Sequence, residues 1–86
     1  MMLHLLIVDD EQLVIDSIKS KLKCRDTGVL KISEAFNFKQ VKKMFLENFI
    51  DIMIYNIELP ENSGLKLIWW VKSNYPETLC IAVTFN

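Results

Sequence analysis

The sequence contains few of the residues that form cross-links or tight turns. Its 86 residues include only two glycines, two prolines and two cysteines. Cys24 and Cys80 lie far apart, and neither has a second cysteine or histidine beside it at metal-ligand spacing, which disfavours both a disulfide framework and a zinc site. Two buried, reduced thiols are the expectation. The single histidine, His4, forms no metal site by itself.

Long apolar runs and a surplus of basic residues are missing too. No stretch approaches the roughly 18 apolar residues that a membrane span needs, and the apolar start of the chain is too short for a signal peptide. The formal net charge of -1 argues against binding nucleic acid or an anionic membrane through a global basic field. A cytoplasmic protein is therefore expected, in which any DNA contact comes from a downstream domain.

What the sequence does contain is a regular alternation of apolar runs and helical spacings. Apolar runs predict strands over residues 3–8, 29–32, 50–55 and 79–83. Helical spacing predicts helices over residues 11–23, 38–48 and 65–74, with turns at Gly28 and at residues 59–64. Strands that alternate with helices in this way predict an α/β fold, in which helices cover both faces of a parallel sheet.

Polar side chains follow three of the predicted strands. Asp9 and Asp10 follow the first strand, Asn56 the third and Thr84 the fourth. Because crossovers between parallel strands are right-handed, the carboxyl ends of all strands meet at one edge of the sheet. Ligands bind at that edge in open parallel sheets. These four residues are therefore the candidates for a functional site.

Three segments resemble the receiver domains of bacterial response regulators. They are LLIVDDE at residues 5–11, DIMIYNIELPENSGLKLI at 51–68, and the strand that ends in Thr84. The resemblance covers the chain in the right order and implies a flavodoxin-like, doubly wound parallel sheet with strand order 2-1-3-4. The segments EAFN at 34–37 and WVKSNYPE at 70–77 resemble receivers that precede AraC-type helix-turn-helix output domains.

The resemblance also implies that residues 1–86 are a partial receiver domain. The family's fifth strand, which bears a lysine, and its last two helices have no counterpart in this sequence. The strand at 79–83 would then be an exposed apolar edge, which invites pairing with another chain. Either the native polypeptide continues past Asn86 or the chain associates with itself.

The family's site residues can be carried over to matching positions. In the family, an acidic pair and a third-strand aspartate hold one magnesium ion, and that aspartate accepts a phosphoryl group from a histidine kinase. A hydroxyl after the fourth strand carries the switch. Asp9 and Asp10 match the acidic pair and Thr84 matches the switch hydroxyl. The backbone carbonyl of Glu58 matches the remaining metal ligand.

The sequence departs from the family at the phospho-acceptor position, which is occupied by Asn56. A carboxamide is neutral at every pH, and its oxygen is a poor nucleophile. We therefore expect no phosphotransfer to residue 56 and no intact catalytic residue. Two carboxylates and an amide attract a cation less than three carboxylates do. The magnesium site of Asp9, Asp10, Asn56 and Glu58 is expected to be weak or vestigial.

Several functions remain open on these residues. The first is a non-enzymatic receiver that regulates an attached transcriptional output domain. The second is a working phosphoacceptor that uses Asp9, Asp10 or an Asn56 deamidated to aspartate. The third is a stand-alone interaction domain, with a histidine kinase, another receiver or a second copy as its partner. A flavin-phosphate binder is disfavoured, because no glycine-, serine- or threonine-rich loop follows the first strand.

Two further features concern the surface. Trp69 and Trp70 are adjacent, so one helix cannot direct both rings at its core side. They predict either a partner surface or packing against a neighbouring helix or loop. The lysines Lys39, Lys42 and Lys43 are expected to form a solvated helix face.

Overall fold

Strands and helices alternate along the chain in the computed structural model, which describes residues 2–22 and 30–84. The strands are β1 (Leu3–Val8), β2 (Leu30–Ala35), β3 (Ile52–Asn56) and β4 (Leu79–Val83). The helices are α1 (Gln12–Lys21), α2 (Phe38–Glu47) and α3 (Ser63–Asn74), and a short 3-10 turn (Pro60–Asn62) precedes α3.

The bounds of β1 and β4 are confirmed as predicted, whereas other elements are shifted. Strand β2 continues to Ala35, three residues past its predicted end, because it pairs along the whole of β1, from Leu3 with Leu30 to Val8 with Ala35. Strand β3 begins and ends later than predicted, and α3 begins two residues earlier, at Ser63. The predictions for Cys24 and Gly28 lie outside the described residues.

The four strands form one parallel sheet in the order β2-β1-β3-β4. The α/β class and the 2-1-3-4 strand order are thereby confirmed. Strand β1 lies between β2 and β3, and β4 pairs with β3 at the edge of the described sheet, where Val83 is opposite Asn56. The carboxyl ends of β1, β3 and β4 consequently point the same way.

Two apolar clusters hold the helices to opposite faces of the sheet. Alternate residues of β1 face opposite sides, as the pleat requires: Leu6 and Val8 enter one cluster, and Leu5 and Ile7 enter the other. The first cluster packs against α2 and α3, and the second packs against α1. The helix residues involved are Val41, Phe45, Leu67 and Val71 in the first cluster and Ile15 and Ile18 in the second.

The outer strand β4 is open to solvent. Leu79 is 57% exposed and Ile81 is 41% exposed, although both are large aliphatic side chains. The predicted exposed apolar edge is therefore present in the described residues. No helix in the described ranges combines the length and the apolar character that crossing a membrane requires.

Candidate functional site

Asp9 is a buried carboxylate at the end of β1. It is only 1% exposed, and its backbone N–H donates to the Ala35 carbonyl at 3.1 Å, which continues the pairing with β2. The Oδ1 atom accepts a hydrogen bond from the Glu11 backbone N–H at 2.9 Å. The Oδ2 atom accepts a second bond, from the Asn56 side-chain amide, also at 2.9 Å. Both carboxylate oxygens are therefore satisfied by uncharged donors.

Asn56 ends β3 and joins the two inner strands through its side chain. Its Nδ2 atom donates to Asp9, and its Oδ1 atom accepts the Glu58 backbone N–H at 2.8 Å. Asp9 with Glu11 and Asn56 with Glu58 form the same local pattern, in which a short polar side chain bonds to the backbone two residues later. This pair of turns fixes both side chains at the carboxyl edge of the sheet.

The segment after β3 is held from two sides. The Ile57 backbone N–H donates to the Val83 carbonyl at 3.1 Å, which ties the segment to β4. On the other side, α3 approaches so closely that a Cβ on Gly64 would lie 2.6 Å from the Ile57 carbonyl oxygen. A glycine is required at this position because no side chain fits there. The backbone that carries Asn56 is thus firmly positioned.

Asp10 lies beside this buried pair but faces solvent. Desolvation, followed by its hydrogen bond and charge interaction with Asp9, raises the pKa of Asp10 above its ordinary value. An adjoining groove of about 300 Å³ is lined by Asp10, Phe36, Leu59 and Glu61 among others. Glu61 adopts a left-handed backbone conformation, with φ of 59°. The acidic pair thus has one buried and one exposed member.

Thr84 lies at the open end of the same edge. It follows Val83, the residue paired with Asn56, and it is exposed. It lines a groove of about 430 Å³ together with Ile18, Leu22 and Ile81. The side-chain bonds of Asn56 are made to Asp9 and Glu58 instead. The structure therefore brings Asp9 and Asn56 into contact with Asp10 beside them, and Thr84 remains the predicted switch position.

This arrangement fits a divalent cation poorly. Magnesium requires oxygen ligands, yet Asn56 turns its amide nitrogen toward Asp9 and directs its oxygen to the Glu58 N–H. A cation at Asp9 would have to displace that amide. Within residues 2–22 and 30–84, no group of three histidine, cysteine, aspartate or glutamate side chains is placed to hold a metal.

Two contributors to the site were not predicted from the sequence. One is the Glu11 backbone N–H, and the other is Gly64, whose missing side chain lets α3 approach the Asn56–Ile57 backbone. The signal for Glu11 was the position of Asp9 in a turn before a helix, where aspartate commonly bonds to nearby backbone N–H groups. For Gly64, the signal was a glycine at the start of a predicted helix.

The comparison with protein-family models identifies the family to which the chain belongs. The model described as the response regulator receiver domain matches residues 5–86, nearly the whole chain. The chain belongs to this receiver family. Its place in two-component signalling follows from that membership.

Similar proteins agree with the family. The transcriptional regulatory protein YdfI of Bacillus subtilis is 32% identical over 81 residues, which cover 94% of this receiver and 38% of YdfI. The receiver thus spans well under half the length of that relative. The response regulator TrrA of Thermotoga maritima, solved in complex with Mg²⁺ and BeF, is 28% identical with a TM-score of 0.79, and the match covers 96% of this chain and 70% of TrrA.

A third likeness supports the fold alone. The signal receiver domain of an HD domain-containing protein from Pseudomonas fluorescens Pf-5 superposes with a TM-score of 0.85 at 20% identity. The match covers all of this chain and 66% of that one. The flavodoxin-like α/β fold is therefore established by structural likeness as well as by strand order.

Proposed function

We propose that this receiver is degenerate at the phospho-acceptor position and regulates an attached transcriptional output domain without phosphotransfer to residue 56. The observation that carries the proposal is the hydrogen bond from the Asn56 amide to the buried Asp9 carboxylate. The likeness to a transcriptional regulatory protein more than twice as long supports the output domain. An output domain of the AraC type is the form that the sequence resemblance favours.

The chemistry at residue 56 explains why phosphotransfer is not expected. A phosphoacceptor attacks phosphorus through an anionic oxygen, whereas the amide of Asn56 is uncharged. Its oxygen already accepts the Glu58 N–H, and its nitrogen faces Asp9. No change of pH creates the missing charge. The group at this position therefore serves as a structural bridge between β1 and β3.

Magnesium binding is expected to be weak for the same reason. The ligands would be Asp9, Asp10, Asn56 and the backbone carbonyl of Glu58, and the ion would offset the negative charge of the two carboxylates. The Asn56 amide already bonds to one of those carboxylates without a cation. Binding would have to compensate for the loss of that bond inside a buried site, where an unsatisfied polar group is costly.

Such a receiver is held mainly in one state. Without a phosphoryl group, the Thr84 hydroxyl has no new acceptor toward which it could move, so the usual trigger of the switch is absent. Its signal would come from binding, with a histidine kinase, another receiver or a second copy as the partner. DNA would be bound only by the attached domain.

Exposure to a small acyl phosphate, followed by intact-mass measurement, tests the proposal. With acetyl phosphate and magnesium, the native chain should gain no phosphoryl group, whereas Asn56→Asp, which restores the carboxylate, should gain one. A phosphorylated native chain would contradict the proposal. Peptide mapping of that product to Asp9 or Asp10 would instead support the alternative of a phosphoacceptor that uses the acidic pair.

The attached output domain needs a separate test. The length of the native gene product decides whether a DNA-binding domain accompanies the receiver. A product that carries no such domain would favour a stand-alone interaction module.

A further inference from the structure

Charge is unevenly distributed over this receiver. Helices α2 and α3 carry five of the ten basic residues of the chain but only one of its eleven acidic residues, Glu47. The basic residues are Lys39, Lys42, Lys43, Lys66 and Lys72. Although the net charge of the chain is -1, these two helices together form a positively charged surface, and the remainder of the chain is acidic.

A groove of about 390 Å³ lies between these two helices. It is lined by Phe38, Lys42, Lys66, Trp69 and Trp70. Most of the lining is apolar or aromatic, while the two lysines provide its charges. The groove is therefore an apolar trough with a basic rim.

The two adjacent tryptophans have different surroundings. Trp70 packs edge-to-face on Phe38 and Phe45, with ring centroids 5.8 and 5.9 Å apart, and lies 5.5 Å from Tyr75. Trp69, in contrast, is 72% exposed at the edge of the groove. Leu65 precedes it by one helical turn and is 59% exposed. Trp70 thus builds the groove floor, while Trp69 is available to a partner.

Lys42 is exposed, as predicted, and its ammonium group also contacts two aromatic rings. Its Nζ atom lies 4.4 Å from the centroid of the Phe38 ring and 5.9 Å from that of Trp70, which is cation–π distance. This contact holds the Lys42 charge over the aromatic wall of the groove. The salt bridge between Lys19 and Glu34 lies elsewhere, between α1 and β2.

We propose that the groove between α2 and α3 docks an amphipathic helix of a partner protein, with apolar side chains on Trp69 and acidic side chains facing Lys42 and Lys66. Large aromatic residues dominate binding at protein interfaces, and complementary charge at the rim steers the partner and fixes its register. An apolar groove that accepts one face of a helix is a common recognition mode. The site is independent of Asn56 and of phosphotransfer.

The charge and apolar pattern favours a protein helix over single-stranded nucleic acid. Nucleic-acid grooves combine several exposed rings for base stacking with a basic track along the backbone. Here Trp69 is the exposed ring of the groove, Trp70 is packed within the aromatic cluster, and the neighbouring exposed side chain, Leu65, is aliphatic. An aliphatic and aromatic stripe beside lysines matches an acidic amphipathic helix.

Selection of peptides against the native chain tests the proposal. The probe is a phage-displayed library of helix-forming peptides of about 16 residues, long enough for measurable helix content. Selected peptides should carry an apolar stripe flanked by glutamate or aspartate. Their affinities are then measured by fluorescence anisotropy against the native chain and its variants. Binding should weaken with added salt because the rim charges are exposed.

The variants locate the binding site. Trp69→Ala should weaken binding about thirtyfold, as loss of an interface tryptophan commonly does. The double variant Lys42→Glu with Lys66→Glu should weaken it about tenfold or more. Leu13→Ala removes an 81% exposed side chain from α1, and Lys31→Glu reverses an exposed charge on β2. Both controls should bind like the native chain, and thermal melts check that every variant folds.

Three outcomes would overturn the proposal. The first is a selection that yields no binder or yields peptides without acidic residues. The second is binding that Trp69→Ala leaves unchanged. The third is an oligothymidylate that competes with the peptides and binds as tightly, which would assign the groove to single-stranded nucleic acid.

Discussion

Three strands end at the same edge of the sheet, the inner strands β1 and β3 and the outer strand β4. The surroundings of the inner and outer strands differ. Leu6, Ile7 and Val8 of β1 are fully buried, and the polar groups that follow, Asp9 and Asn56, bond to each other. Strand β4 is open, with Ile81 exposed and Thr84 facing a groove. The part of the sheet edge formed by Asp9 and Asn56 is thus closed by a side-chain hydrogen bond, whereas the part that ends in Thr84 is open to solvent.

The largest expected difference in unfolding free energy is between alanine substitutions of one isoleucine from each region. Ile7→Ala should cost about 3 kcal/mol of unfolding free energy, because it removes buried methyl groups and leaves a cavity. Ile81→Ala should cost under about 1 kcal/mol, since that side chain is already partly in water. Urea denaturation of both variants measures the difference. Equal costs would mean that β4 is covered in solution, for example by a second copy of the chain.

A smaller difference in unfolding free energy is expected between asparagine substitutions of the two aspartates that follow β1. Asp9→Asn should lower the free energy of unfolding by about 2 kcal/mol. The substitution turns one of the two acceptor atoms into a donor, which then faces another donor, either the Asn56 amide or the Glu11 N–H. Asp10→Asn should be neutral or slightly stabilising at pH 7. Because folding raises the pKa of Asp10, the folded state favours the protonated form of this residue. The free energy of unfolding therefore falls as the pH rises from the ordinary pKa to the raised one and Asp10 ionises.

The pH dependence of the Asp10 variant provides the control for this comparison. The small gain in unfolding free energy from Asp10→Asn should vanish below the ordinary aspartate pKa of about 4. At such a pH the native aspartate is protonated in both the folded and the unfolded state. Chemical denaturation at pH 7 and pH 3 measures it. A loss of stability from Asp10→Asn as large as that from Asp9→Asn would mean that both carboxylates are structural.

How far the sequence predicts the fold is clear from β1 and β2. The apolar run of β1 defines its bounds, whereas β2 continues through Ser33 and Glu34, whose polar side chains suggested an earlier end. Ser33 bonds to the His4 ring at 2.7 Å, and Glu34 accepts bonds from Gln12 and Lys19. Those partners come from β1 and α1, so a local pattern cannot reveal them.

For the candidate site too, one part can be predicted from the sequence and another part cannot. That Asp9 and Asn56 meet follows from topology, because both residues end strands of one parallel sheet. Which end of the Asn56 amide faces Asp9 does not follow from the sequence. It depends on the Glu58 N–H, which takes the amide oxygen and leaves the nitrogen for the carboxylate.

Under the proposed function, the Asn56 amide takes the place at Asp9 that a cation would otherwise occupy. Asn56→Asp puts a second carboxylate against the buried one and removes the donor. In metal-free buffer this variant should be less stable than the native chain. Asp9→Asn combined with Asn56→Asp restores a carboxylate–amide pair with its direction reversed. The double variant should regain most of the lost stability, as coupled neighbours do.

Calorimetric titration with magnesium tests this claim most directly. Asn56→Asp should bind the ion about tenfold more tightly than the native chain, or better, because a charged oxygen ligand replaces an amide already bonded to Asp9. Equal and tight binding by the two chains would contradict it, since the amide would then present no obstacle to the cation.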